Sequence, residues 1–104
     1  GIRRVSDHQI KVYWSRSGDE PEHILVSDIN VSGDWTTWKL ANTLSMRRPE
    51  FEWEGADLNI GPSRSGFAMT ELHELRDPGI YVESDHCYLL YSVKGESGIG
   101  ICEI

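Results

Sequence analysis

Short apolar runs separated by turn residues are the feature that most limits how this chain can fold. β-Branched and aromatic residues fill the runs, as they do in strands. No stretch shows the apolar period of about 3.6 residues and the caps that a helix requires. The runs lie at residues 10–14, 24–29, 35–40, 79–82, 87–93 and 99–104.

Turn residues divide these runs at regular intervals. Glycine, proline, serine and aspartate dominate the stretches between them, where the backbone must change direction. These stretches are residues 17–21 (SGDEP), 30–34 (NVSGD), 84–85 (SD) and 94–97 (KGES). Strands that recur about every 8–12 residues are typical of antiparallel all-β structure. We therefore expect an all-β fold built from antiparallel sheets.

The middle of the chain has a different character. Residues 48–71 hold two prolines and three glycines and show no clean alternation of apolar and polar side chains. We interpret this stretch as a long, ordered connection with one short strand near residues 66–70, and such connections are often functional. The predicted organisation is a single domain, 1–104, with a first blade-like sheet in 1–47, a connection in 48–75 and a second blade-like sheet in 76–104.

Charge and hydropathy narrow the classes of partner. The chain of 104 residues has a formal net charge of −7, which argues against nucleic acid, because phosphate binding needs a concentrated Lys/Arg surface. No apolar run approaches the roughly 18 residues of a membrane helix, and we expect no signal peptide, because no basic start followed by an apolar stretch and a small-residue cleavage site is found. We expect no nucleic-acid partner, no membrane and a cytoplasmic location. No sequence motif predicts a cofactor, and no CxxC or paired-histidine spacing predicts a metal.

The two cysteines, Cys87 and Cys102, are too few for a disulfide scaffold. A tight turn at residues 94–95 would place them directly opposite each other on neighbouring strands. A loop over residues 94–97 would make them diagonal neighbours about 7–8 Å apart, which is poor geometry for a disulfide. We expect two buried free thiols.

The strand at residues 87–93 reads CYLLYSV and is mostly apolar on both faces. A sheet with one wet face alternates more sharply, so this strand suits either a propeller blade between neighbours or the centre of a β-sandwich. The stretches KVYWSRSGDEPEHILVSDI and CYLLYSVKGESGIGICEI also form a weak internal repeat. Repeated sheets favour blades, but the pattern alone leaves a sandwich or barrel open.

Specific stretches add a family resemblance. Residues 76–81 (RDPGIY), 88–93 (YLLYSV) and 95–99 (GESGI) resemble the last blade of five-bladed propeller proteins related to glycoside hydrolases, of the arabinanase, xylosidase and anhydro-galactosidase type. Residues 13–19 (YWSRSGD) and 33–38 (GDWTTW) are similar to the preceding blade, and residues 53–58 (WEGADL) to the connection between the two. The resemblance implies that the chain corresponds to the C-terminal two blades of such a protein.

Two isolated blades would leave strand edges and two apolar faces uncovered. Unpaired edges and large apolar patches are normally covered by another chain. We therefore expect the chain to self-associate as a homo-oligomer.

The resemblance also bears on chemistry. The related hydrolases use three carboxylates across a central funnel, and no full match to that set occurs here. We expect a non-catalytic remnant with carbohydrate as its ligand. One alternative is an active glycosidase, in which oligomerisation rebuilds the funnel and Asp57, Asp77 and Glu96 supply its carboxylates. The other alternative is an interaction module with no ligand.

Five residues are candidates for contact with a sugar, and each has a structural alternative. Asp77 either contacts substrate or bonds backbone N–H groups before Pro78, and Arg76 either contacts a sugar hydroxyl or forms a structural ion pair. His73 could line the same mouth or serve as a hydrogen-bonded residue. The Trp53 indole could stack on a sugar or lie in the core. Glu96, in the last turn, could contact a sugar or be solvated. The set is Arg76, Asp77, His73, Trp53 and Glu96.

Overall fold

The computed structural model describes all 104 residues, which form two antiparallel sheets and two single turns of 3₁₀-helix. The first sheet contains β1 (Ile2–Arg4), β2 (Gln9–Trp14), β3 (Ile24–Asn30) and β4 (Ala41–Arg47). The second contains β5 (Arg76–Glu83), β6 (His86–Val93) and β7 (Gly98–Glu103). The predicted all-β fold with antiparallel sheets is therefore confirmed. Neither helical turn has the length or hydropathy to cross a membrane.

Both sheets are simple meanders, in which strands that follow one another in sequence are neighbours. Their inner faces pack against each other, and the core between them combines side chains from both sheets. That core consists of Tyr13, Ile24, Leu75, Leu89, Tyr91 and Val93. Alternation along β6 explains the packing, because every second side chain of a strand points to the same face.

The outer face of each sheet includes exposed apolar side chains. On the second sheet, Ile99 is 79% and Ile101 is 59% exposed, and Leu90 and Tyr88 lie beside them on β6. On the first sheet, Ile2 pairs with Val12 on the corresponding outer face. Contiguous apolar surface of this kind usually marks an interface.

Backbone hydrogen bonds join the connection to a loop of each sheet. The Ser63 amide donates to the Asp19 carbonyl, and the Leu75 amide donates to the Glu22 carbonyl. At its other side, the Gly95 amide donates to the Glu74 carbonyl. The predicted short strand at residues 66–70 is wrong, because this stretch pairs with no strand.

The predicted strand at residues 35–40 is also wrong. The Asp34 carboxylate accepts a hydrogen bond from the Thr36 amide and caps a 3₁₀ turn over Trp35–Thr37. The last strand of the sheet follows at Ala41–Arg47 instead. Its sequence, ANTLSMR, lies on an exposed edge and carries few apolar residues, so a search for apolar runs overlooks it. The same search missed β1.

The cysteines follow the looser of the two predicted arrangements. Cys102 pairs with Leu89, so Cys87 is its diagonal neighbour, and both thiols are free. Cys87 is buried, but Cys102 is half-buried, which corrects the prediction of two buried thiols. Burial raises the pKa of the Cys102 thiol, so this thiol is a poor nucleophile at neutral pH.

Candidate functional site

A polar cleft of about 380 Å³ opens at one end of the two sheets. No hydrophobic residue lines it. Three of the five candidate residues from the sequence are among its walls. The lining is Ser15, Ser17, Glu22, Arg64, Ser65, Gly66, Arg76, Asp77 and Glu96.

Two copies of one tetrapeptide face each other at the rim of the cleft. The sequence Ser-Arg-Ser-Gly occurs at residues 15–18, after β2, and again at residues 63–66, in the connection. The Ser17 and Ser65 hydroxyls lie 2.9 Å apart, and the Gly18 amide donates to the Ser63 hydroxyl. Each copy ends in a glycine with positive φ, a conformation that glycine adopts without steric cost. The repeat is the sequence signal that could have located this rim.

Arg76 organises the floor of the cleft. Its buried guanidinium donates from Nε and Nη2 to the Glu74 carboxylate and from its terminal nitrogens to the carbonyls of Gly66 and Arg64. The Glu22 carboxylate lies 3.5 Å away. Nearly all of its five donors are therefore directed at protein atoms. Arg76 positions the walls of the cleft, as the structural alternative predicted, and has little capacity left for a ligand.

Asp77 is turned into the cleft by an irregularity of β5. The register between β5 and β6 shifts between Arg76 and Gly79, and Asp77 has φ of +50°. Bulges of this kind re-aim side chains beside functional sites. The predicted bonds from its carboxylate to backbone N–H groups are absent, and the one hydrogen bond it accepts comes from the Ser92 hydroxyl at 3.4 Å. Its carboxylate is therefore largely free for a ligand.

The remaining walls carry both donors and acceptors. Glu96 lies 3.6 Å from the Arg76 guanidinium and is partly exposed, and the Ser15 hydroxyl donates to the Glu22 carboxylate at 2.7 Å. The exposed Arg64 side chain takes part in no ion pair. Glu22 and Arg64 were not predicted as site residues. Glu22 lies in no distinctive motif, and Arg64 stands out only when the two Ser-Arg-Ser-Gly copies are compared.

Two of the predicted site residues lie elsewhere. The buried His73 donates from Nδ1 to the Leu58 carbonyl, so it supports the connection rather than the cleft. Trp53 stacks on Phe51 with 5.7 Å between ring centroids, and both rings are about half exposed. Asp57, a carboxylate of the alternative funnel, is exposed and does not line the cleft.

A second polar cluster holds the connection to the core. The fully buried Glu54 carboxylate accepts hydrogen bonds from the Arg47 guanidinium, the Tyr91 hydroxyl and the amides of Glu50 and Phe51. Burial raises the pKa of Glu54, but these hydrogen bonds outweigh burial and leave the pKa below its ordinary value. Burial and the bond to Glu54 raise the pKa of Tyr91. Every oxygen of this carboxylate is satisfied, so the cluster is structural.

Metal binding finds no support in the side-chain arrangement. No group of three or more His, Cys, Asp or Glu residues is placed to hold a metal ion. Of the carboxylates in the cleft, Glu22 accepts a hydrogen bond from Ser15 and lies beside Arg76, and Glu96 also lies beside Arg76. The side chains that line the cleft can both donate and accept hydrogen bonds.

Comparison with known proteins gives one relative. An uncharacterized protein of Acanthamoeba polyphaga mimivirus is 39% identical over 100 residues, which are 95% of this chain and 28% of that protein. The chain thus spans less than a third of the length of that relative. No family model matches the chain, and no solved structure matches it. Because the relative is itself uncharacterized, the similarity carries no activity across to this chain.

Proposed function

We propose that the chain is a self-associating carbohydrate-binding module, related to two blades of a glycoside-hydrolase-like propeller. The observation that carries the proposal is the polar cleft, whose walls present donors and acceptors and no apolar side chain. Sugars bind to proteins largely through such groups, because their hydroxyls both donate and accept hydrogen bonds. The meander order of both sheets is also the order within propeller blades.

The charge of the cleft favours a neutral sugar. Three carboxylates, Glu22, Asp77 and Glu96, stand against two guanidinium groups, Arg64 and Arg76. An anionic sugar would meet net repulsion at such a site, since like charges in close proximity destabilise each other. The free Asp77 carboxylate can accept hydrogen bonds from hydroxyls, and the free Arg64 guanidinium can donate to them.

Sugar binding is tested by calorimetric titration with methyl glycosides of glucose, galactose, xylose and arabinose. We expect saturable binding of at least one of them, weakened about tenfold or more in Glu96→Gln, because a hydrogen bond to a charged group contributes about 1.5–3 kcal/mol. Asp57→Asn is the matched control, since Asp57 is an exposed carboxylate outside the cleft. Absence of binding by every glycoside would refute the proposal.

Glycoside hydrolysis is a second candidate activity. It is favoured by one observation, which is that Glu22, Asp77 and Glu96 all line the same cleft. A pair of carboxylates, one acid and one base or nucleophile, is the usual machinery of a glycosidase. Release of nitrophenol from nitrophenyl glycosides by the wild type, abolished in Asp77→Asn, would support this activity. Binding without release would leave the module non-catalytic.

Self-association is the second part of the proposal. The outer face of the second sheet is apolar and bears the acidic residues Glu83 and Glu103. The outer face of the first sheet bears the exposed Ile2 beside Val12, and Arg4 opposite Ile10. A second copy that placed one outer face on the other would bury apolar surface and bring opposite charges together.

A further inference from the structure

A second, smaller cleft adjoins the polar one. Its volume is about 260 Å³, and it shares Arg64, Ser65, Gly66 and Arg76 with the polar cleft. The two are therefore neighbours on either side of the same short stretch of the connection. They differ in chemistry, because the polar cleft has no hydrophobic wall and the smaller one does.

The apolar wall comes from a single segment that follows the shared residues. Phe67, Ala68, Met69 and Leu72 lie there, together with Pro62. Phe67 is 72% and Met69 is 84% exposed. Methionine side chains are flexible and polarisable, and they are common at surfaces that accept varied apolar groups. We name the part of the cleft lined by Pro62, Phe67, Ala68, Met69 and Leu72 the apolar annex.

We propose that the site takes glycosides with an apolar aglycone, with the sugar in the polar cleft and the aglycone in the apolar annex. The inference rests on the proposed sugar-binding function and adds the class of ligand. An aromatic or alkyl group attached to the sugar would cover Phe67 and Met69 and remove apolar surface from water. A free sugar would leave that surface exposed.

The test compares methyl with phenyl glycosides of the same four sugars by calorimetric titration. We expect the phenyl glycoside to bind about tenfold more tightly than its methyl counterpart, because the ring buries apolar area that the methyl group does not. The double variant F67S/M69S should reduce the preference for the phenyl over the methyl glycoside to less than about threefold. Both side chains are largely exposed, so the variant should fold.

A matched control removes an exposed aromatic group from a loop that lines neither cleft. Trp35→Ser is that variant, and it should keep the full preference for the phenyl glycoside. Equal binding of methyl and phenyl glycosides would overturn this inference and leave the proposed function standing. A preference that survives in F67S/M69S would also overturn it, because the annex would not be its source. Failure of all glycosides to bind would refute both proposals.

Discussion

Glu54 is the residue on which the packing of the connection depends most. It is fully buried, and its carboxylate receives hydrogen bonds from Arg47, Tyr91 and two backbone amides. We expect Glu54→Gln to lower the free energy of unfolding by about 3 kcal/mol, because it leaves the Arg47 charge without its partner. Urea denaturation measures the change. Glu52→Gln, an exposed residue of the same turn, should change stability by less than about 0.5 kcal/mol.

The same carboxylate makes stability depend on pH. The pKa of Glu54 in the folded protein lies below its ordinary value, whereas an unfolded glutamate titrates near about 4.3. The contribution of the ionised carboxylate is therefore complete above about pH 4.3, and it is lost as the pH falls through the lower folded-state value. Thermal denaturation should show a steeper decrease of Tm for the wild type than for Glu54→Gln below about pH 4.3. Parallel curves would contradict this assignment.

Substitutions at Asp77 should affect stability and glycoside binding to different extents. Its positive φ is costly for most residues, but Asp and Asn adopt it comparatively readily. We expect Asp77→Asn to leave the free energy of unfolding within about 0.5 kcal/mol of wild type and to weaken glycoside binding about tenfold or more. Asp77→Ala should lower both the free energy of unfolding and the affinity for the glycoside. An Asp77→Asn variant that binds like wild type would remove this residue from the site.

At the residue scale, the structure brings three of the five candidate side chains together and leaves two apart. Arg76, Asp77 and Glu96 were candidates and line one cleft. His73 was a candidate for the same mouth but is bonded to Leu58, because a histidine close in sequence to Arg76 need not point to the same side. The two Ser-Arg-Ser-Gly copies meet because of tertiary packing, which local sequence patterns do not predict.

At the scale of elements, strands with a buried face were predictable and polar edge strands were not. β6 alternates buried and half-buried residues, and its sequence CYLLYSV already indicates a packed strand. β4 is exposed over most of its length, so the features that mark a strand in sequence are missing. In the segment before β4, the Asp34 cap stabilises a 3₁₀ turn over Trp35–Thr37. This local hydrogen bond outweighs the strand preference of the aromatic residues there.

The outer face of β7 is the proposed contact between two copies of the chain. Its outward side chains Ile99 and Ile101 are exposed, and we propose that a second copy covers them. The double variant I99K/I101K should run at the monomer mass of 11.8 kDa, while the wild type has a larger mass, as measured by light scattering behind a sizing column. Ile60→Lys, at an exposed position in the connection, is the control and should assemble like wild type. A monomeric wild type would contradict the prediction.

At the scale of the whole molecule, two packed sheets bring their loops together at one end. The loop after β2, the connection and the turn before β7 all contribute walls to the cleft. Binding residues are commonly carried by loops on a rigid scaffold in this way. The sequence predicted two sheets and an ordered connection, but not which loops meet, because that depends on how the inner faces pack.

The polar cleft is proposed to bind a neutral sugar. Amide chemical-shift mapping by NMR, during titration with the methyl glycosides, locates the binding site on the molecule. We predict that the shifted amides cluster at the cleft, at Gly18, Gly66 and Glu96, with no comparable change at Ile99 or Ile101. Shifts confined to the outer faces of the sheets, or no shifts at saturating glycoside, would contradict the account.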